Sequence, residues 1–499
     1  MPILRPSLHP KLVSFLTIQG RTQPIWSRLT LIPSPLAVSD ARIAVAMPPS
    51  TLTEQTQVGE LPLEIVALVL LCLPLDARLR AREVSQDWRA LLNEPRFWLV
   101  LDFSPGSGVV APLTRALLFA AGERGRGHLC TLELTDADNL LEAEDLVQFV
   151  ATHSQSLLSV TTPEWPVLEA DLVTRLCLSA PLCTLHCRVD CAPAEALPLL
   201  RCEAPCALVH IFKLLVDSFE NNEQAVRDLA AALPSHSGKI RELIVHNAPL
   251  WNGAVFDALV HGIAEARVSN LTFFGCHLAT PSLPGLTRLL EAGCLERLVI
   301  NNRHEALFER DFRLTAFCNA LRSSTLQALN LRSFRLWQDP AAADELMAAL
   351  VGHPTLRELS LHDSVGGVRG AQTYARQCGN GTVISPGGQL ASLITHNSAL
   401  QKLDLSGNNL GEDGLGLIIY VLPRSSTLKE FVYHVSYEDE FISREFARSV
   451  ILPAVRLNIS LRRLDFGPYG ETLPELAEAQ AIVAARTQDA GYHRCLRWF

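Results

Sequence analysis

The segment ALQKLDLSGNNL (residues 399–410) decides the fold. Leu400, Leu403 and Leu405 stand at spacings of three and two, and Asn408 and Leu410 follow. In an extended segment alternate residues share a face, so Leu403 and Leu405 turn inward while Lys402, Asp404 and Ser406 turn outward. The same pattern recurs in TLQALNLRSFRL (Leu326, Leu329, Leu331, Leu336), TLRELSL (Leu356, Leu359, Leu361) and CLERLVI (Leu295, Leu298, Ile300). Weaker copies begin at Ile240, Val268, Leu428 and Leu461. Starts at 240, 268, 295, 326, 356, 400, 428 and 461 lie 28, 27, 31, 30, 44, 28 and 33 residues apart. Such a fixed period is the signature of a stacked array.

Upstream, Leu129-Leu132-Leu134 is clear, whereas Leu157-Val160-Thr162 and Leu182-Leu185-Cys187 are degraded. Ile211-Leu214-Val216 falls midway across the gap between 182 and 240. Segments such as 253–266 and 341–353 separate the copies and are apolar at three- and four-residue spacing, the period of a helix buried on one side. One strand and one helix cannot bury their apolar faces alone, so neighbouring units stack over a common core. Each enclosed Leu then contributes about 1.5–3 kcal/mol. The pattern predicts an α/β solenoid with a parallel sheet on the inner arc and helices on the outer one. It resembles the leucine-rich-repeat family, in its longer, ribonuclease-inhibitor-like class, and that resemblance implies a horseshoe.

In front of the array, residues 61–103 have a different texture. Leu61-Pro62 opens a run with Ile65, Leu68, Val69 and Cys72 at helical spacing, and Leu73-Pro74 stops it. Val84, Trp88, Leu91 and Leu92 form a second stripe, and Pro95, Arg96, Phe97 and Trp98 close the unit. About forty residues enclose little core, so a partner or the adjacent array must complete it. The Leu-Pro, Trp-Arg and Phe-Trp pairs resemble an F-box, with departures at Arg78, Ala81, Glu83 and Ser85. The resemblance implies docking on a Skp-type adaptor bound to a cullin, through Leu61, Pro62, Ile65, Leu73, Pro74, Val84 and Trp88. It further implies that the array holds a protein substrate for ubiquitin transfer. The other reading of the same residues is a repeat scaffold without ligase recruitment.

The expected organisation is a basic leader over 1–56, the helical module over 57–103, a connector or N-terminal cap over 104–128, and repeats over 129–472. A Gly-rich insertion interrupts the repeats at 363–388, and a cap helix with a tail occupies 473–499. Before Met47, five basic residues face the single acid Asp40. That balance fits an organellar transit peptide, a disordered leader or an upstream extension with Met47 as the start.

Net charge is −9 and charged residues are 19% of the chain, which excludes a phosphate-coating nucleic-acid binder. The longest apolar run, Ile65–Leu75, holds eleven residues including Pro74, too few to span a bilayer. Thirteen Cys, an odd count without a secretory start, point to reduced thiols and a cytoplasmic or nuclear protein. Cys177, Cys183, Cys187, Cys191, Cys202 and Cys206 crowd together near His186 and His210, but no Cys-x-x-Cys pair occurs. The alternation of Cys183, Leu185, Cys187, Val189 and Cys191 reads instead as one apolar strand face. No catalytic residues, metal ligands or cofactor motif stand out. Gly106, Gly108 and Ala111 make only a faint dinucleotide fingerprint, and His304-Glu305 lacks a second His.

A partner on the inner arc would meet the outward residues of each strand. These run Glu242, Ile244, His246; Asn270, Thr272, Phe274; Arg297, Val299, Asn301; Ala328, Asn330, Arg332; Glu358, Ser360, His362; and onward through Lys402, Glu430 and Arg463. The signs are mixed, which suits a protein target with polar and aromatic anchors. Phe274, Asn301, Arg332 and His362 form the candidate substrate-binding band.

Overall fold

A computed structural model describes residues 29–30, 44–45, 62–73, 75–103, 114–134, 142–162, 168–201, 208–217, 219, 222–276, 278, 280–302, 314–332, 336–338, 340–362, 385–408, 410–434, 442–467 and 473–489. The chain divides into two compact units, Met1–Trp165 and Pro166–Phe499. Within the leader, Leu29–Thr30 pairs antiparallel with Ala44–Val45, and the remainder lies outside the described residues. So do Leu61, Pro74, Cys202, Cys206, the faint Gly fingerprint, His304-Glu305 and residues 363–384.

In the first unit, helices α1 (Leu63–Leu71), α2 (Leu75–Ala81) and α3 (Gln86–Leu91) precede a short turn at Pro95–Phe97. Three parallel strands follow: β1 (Val100–Asp102), β2 (Thr131–Glu133) and β3 (Ser159–Thr162), with Leu101 opposite Leu132 and Leu132 opposite Val160. Trp98, Leu101 and Phe103 are all buried, at the same spacing as Leu129, Leu132 and Leu134. The first rung of the array therefore lies inside the segment assigned to the helical module. Residues 104–128 supply that rung's helix, Arg115–Arg124, rather than a bare connector. Trp and Phe stand where later copies have Leu, so the frame is hidden among the F-box aromatics.

The second unit carries a parallel ladder in chain order: β4 (Thr184–Cys191), β5 (Val209–Val216), β6 (Ile240–His246), β7 (Asn270–Cys276), β8 (Arg297–Asn302), β9 (Ala328–Arg332), β10 (Glu358–Ser360), β11 (Lys402–Asp404), β12 (Glu430–Val432) and β13 (Arg463–Asp465). Leu243, Leu271, Leu298, Leu329, Leu359, Leu403, Phe431 and Leu464 stand opposite one another along one inward row. In the degraded copy the frame differs from the Leu182-Leu185-Cys187 expectation. Leu182 is 82% exposed, and Val189 and Cys191 pair with Leu214 and Val216. The whole of β4 alternates, with Leu185, Cys187, Val189 and Cys191 buried in step with Cys183 just before it, so alternation alone could not choose a frame. A register shift after Cys187 and Ile211 inserts Phe212 as an extra residue.

Helices cover the other side of this sheet. Helix Pro386–His396 begins inside the expected insertion, so Gly387 and Gly388 belong to its first turn. A methyl group on Gly387 would run into the backbone of Gly414, which explains why two glycines face each other where this helix meets Gly411–Val421. The last helix, Pro474–Asp489, buries Leu476, Ala479 and Val483 on the final rung. No helix among the described residues is long and apolar enough to cross a membrane.

One junction device recurs three residues before the first Leu of a copy. The Asn397 carboxamide oxygen accepts from the Ala399 and Leu400 N–H groups at 2.9 Å each, and its Nδ2 donates to the Leu350 carbonyl at 3.2 Å. Asn458 repeats this with Ser460, Leu461 and the Leu422 carbonyl. His353 does the same with an imidazole: Nδ1 accepts from Thr355 and Leu356, and Nε2 meets the Leu321 carbonyl at 2.8 Å. Each side chain is buried and ties the end of one helix to the next strand, satisfying carbonyls that a helix C-terminus leaves open.

Candidate functional sites

Helix α1 is apolar on both sides. Val66, Ala67 and Leu70 face the core of the first unit. Leu63 is 55% exposed, Pro62 and Cys72 are exposed, and Ile65, Leu68, Val69 and Leu73 are half-buried. The stripe read from the sequence, Ile65-Leu68-Val69-Cys72, is thus the outward one, and the inward stripe is its neighbour. Val84 and Trp88 are half-buried beside Leu91 and Leu92, which are fully enclosed. Leu63 is the surface residue missed by the sequence argument, because an apolar run without polar breaks does not mark which side is covered.

The departures from the F-box pattern have local roles. The Arg78 guanidinium donates to the carbonyls of Leu71 (2.8 Å), Leu73 (2.8 Å) and Phe97 (3.0 Å), locking the C-terminus of α1 to the closing turn. Ser85 is the N-cap of α3, its hydroxyl accepting from the Trp88 N–H at 3.0 Å. Ala81 is buried. Trp98, fully enclosed, donates its indole N–H to the Leu92 carbonyl at 2.6 Å.

On the outward face of the second unit's sheet, the register matches the sequence expectation. Glu242, Asn270, Arg297, Ala328, Glu358, Lys402, Glu430 and Arg463 form one row. Its charges are largely spent on one another: Lys213–Glu242 at 3.3 Å, Arg297–Glu358 at 2.9 Å, Lys402–Glu430 at 3.9 Å and Arg463–Asp465 at 3.1 Å. A second row, nearer the C-terminal ends of the strands, places His246 opposite Phe274, Phe274 opposite Asn301, and Asn301 opposite Arg332. His362 falls beyond the end of β10, whose pairing stops at Ser360, so it flanks the band rather than continuing the ladder.

Around Phe274 the surface dips into a shallow hollow of about 360 Å³ lined by His246, Asn247, Phe274, Gly275 and Asn301. The His246 ring sits 4.9 Å from that of Phe274, its Nδ1 is 2.9 Å from an Asp217 carboxylate oxygen, and the Asn247 amide reaches the other at 3.3 Å. Asn247 and Gly275 both take left-handed backbone conformations, φ +53° and +64°, turning the chain sharply beneath the hollow. Asp217 and Asn247 were not foreseen. Asp217 follows β5, where the extra residue Phe212 obscures the frame.

Burial raises the thiols of Cys191, Cys276 and Cys318 to about 12, so they remain protonated and behave as small apolar groups. Among the described residues no three His, Cys, Asp or Glu side chains converge as a metal site.

The ladder of parallel strands with its covering helices is a solenoid-like fold of the leucine-rich-repeat type, and the helical module precedes it in the chain. Residues 59–100 match the F-box domain family. The match covers the helical module and lies ahead of the repeat array in the chain. It is 29% identical over 170 residues to the mouse protein "NACHT, LRR and PYD domains-containing protein 12", covering 30% of this chain and 15% of that one. The chain therefore spans only a small part of that relative. Among solved structures it is similar to the leucine-rich-repeat-containing protein LegL7 from Legionella pneumophila, with a TM-score of 0.29 and 11% identity, covering 77% of this chain and 97% of the other.

Proposed function

We propose that this protein is the substrate-recognition subunit of an SCF-type ubiquitin ligase. The observation that carries the proposal is the F-box match over 59–100, joined to an α1 whose N-terminal end leaves Pro62 and Leu63 exposed and Ile65 half-buried. In this account a Skp-type adaptor bound to a cullin docks there, through Pro62, Ile65, Leu73, Val84 and Trp88 together with Leu61 and Pro74. The strand face, with Phe274, Asn301, Arg332 and His362, holds a target protein. The protein itself breaks no bond. It raises the effective concentration of target lysines near the ligase, in the cytoplasm or nucleus. F-box and leucine-rich-repeat modules are both interaction modules, which supports a non-enzymatic role.

The test is co-expression capture of the full chain with the Skp-type adaptor, beside a Pro62→Ala, Ile65→Asp variant. Stoichiometric capture is expected from the native chain. The variant should lose at least about tenfold in affinity, since truncating an interface anchor commonly costs about 2 kcal/mol. Failure of the folded native chain to capture the adaptor would leave a repeat scaffold without ligase recruitment.

A further inference from the structure

We infer that the band on the strand face docks an extended segment of a partner protein carrying an apolar side chain and a carboxylate three residues apart. The apolar group enters the hollow at Phe274 and the carboxylate pairs with Arg332. The inference deepens the target-binding role proposed above and rests on it.

Three observations converge. Phe274 is 45% exposed on a sheet face, and the hollow beside it is floored by Gly275, so an apolar side chain has room against its ring. The wall is held in place before any ligand arrives: His246 is fixed by Asp217 at 2.9 Å and packs at 4.9 Å on Phe274. A preorganised pocket avoids the ordering cost that weakens most surface contacts.

The second observation is electrostatic. Most cations of this face are consumed by neighbours, as Lys213, Arg297, Lys402 and Arg463 show. Arg332 is exposed and has neither hydrogen bond nor ion pair among the described residues, and Asn301 between it and Phe274 also keeps its amide unused. A guanidinium offers a fork suited to a carboxylate, and the amide can serve a peptide backbone.

The third is distance. Phe274, Asn301 and Arg332 occupy consecutive rungs in unbroken register. Adjacent strands lie about 4.8 Å apart, so Phe274 and Arg332 root about 9.6 Å apart, close to the span of three residues in an extended polyproline II segment, which rises about 3.1 Å per residue and returns every third side chain to the same face. A chain crossing the strands thus brings one side chain to each anchor. A nucleic acid would need several free cations along its phosphates, and among the described residues this face offers no such row.

The experiment pans a displayed library of short unstructured segments on the full chain and on its Phe274→Ala, Arg332→Glu and Arg332→Gln variants. The native chain is expected to enrich an apolar residue with Asp or Glu three positions away. Arg332→Glu should exchange that acid for Lys or Arg while keeping the apolar preference, Arg332→Gln should weaken it, and Phe274→Ala should abolish the apolar preference. A selected segment should bind each variant about tenfold more weakly. Enrichment of no sequence by the native chain, or of sequences indifferent to all three changes, overturns the inference. Thermal unfolding and adaptor capture are measured on each variant. Intact adaptor capture with no selected segment defeats this inference alone, whereas lost capture by the native chain with a selected segment defeats the ligase role alone.

Discussion

At His353 the protonation state of one ring decides whether a repeat junction holds. Its Nδ1 accepts two backbone N–H groups, so the proton resides on Nε2, which donates to Leu321. Burial holds its pKa below the ordinary value, and burial likewise lowers that of His236 to about 4. The unfolded chain takes up these protons below about pH 6.5 while the folded chain resists, so stability is full above that pH and falls as pH drops. For His236 the loss continues to about 4. Asn occupies the same position in the copies starting at Leu400 and Leu461, so His353→Asn should keep the bridge. Thermal unfolding at pH 7.5 and 5 should show a smaller drop for His353→Asn than for the native chain, and His353→Ala should be destabilised at both. Equal pH dependence in native and Asn variants would remove the imidazole from this account. The sequence displays these residues without their role, because a buried polar bracket has no periodic signal of its own.

Among elements, the repeat strands were the most legible, since Leu400, Leu403 and Leu405 and their equivalents combine spacing with chemistry. Legibility failed where chemistry drifted: Trp98, Leu101 and Phe103 concealed the first rung, and the all-apolar alternation of β4 concealed its frame. Helix α1 failed differently, being apolar on both sides, so only packing distinguishes Val66 and Leu70 from Leu63 and Ile65. Of the candidate band, Phe274, Asn301 and Arg332 fall on consecutive rungs as the spacing predicts, whereas the support from Asp217 and Asn247 is tertiary. Arg78 is the departure with the clearest structural consequence. Replacing it with Ala removes three bonds to carbonyls of Leu71, Leu73 and Phe97. Charged hydrogen bonds contribute about 1.5–3 kcal/mol each when their partners stay buried, and these are partly exposed, so about 2 kcal/mol in total is expected. Denaturant unfolding followed by Trp fluorescence should register it, and adaptor affinity should fall only through the unfolded fraction.

On the scale of the whole molecule, one chain carries two kinds of surface: a half-exposed apolar helical face, and a sheet face whose charges mostly neutralise each other. The first belongs to Met1–Trp165 and the second to Pro166–Phe499, so mutations in one should leave the other's binding unchanged. In the role proposed here the chain bridges a target to a cullin. The most direct test is the mass, by light scattering after size exclusion, of the species formed from purified full chain, Skp-type adaptor and the adaptor-binding half of the cullin. A single 1:1:1 complex is expected, which the Pro62→Ala, Ile65→Asp variant fails to form. An adaptor–cullin complex eluting with the folded native chain left free beside it would contradict that role.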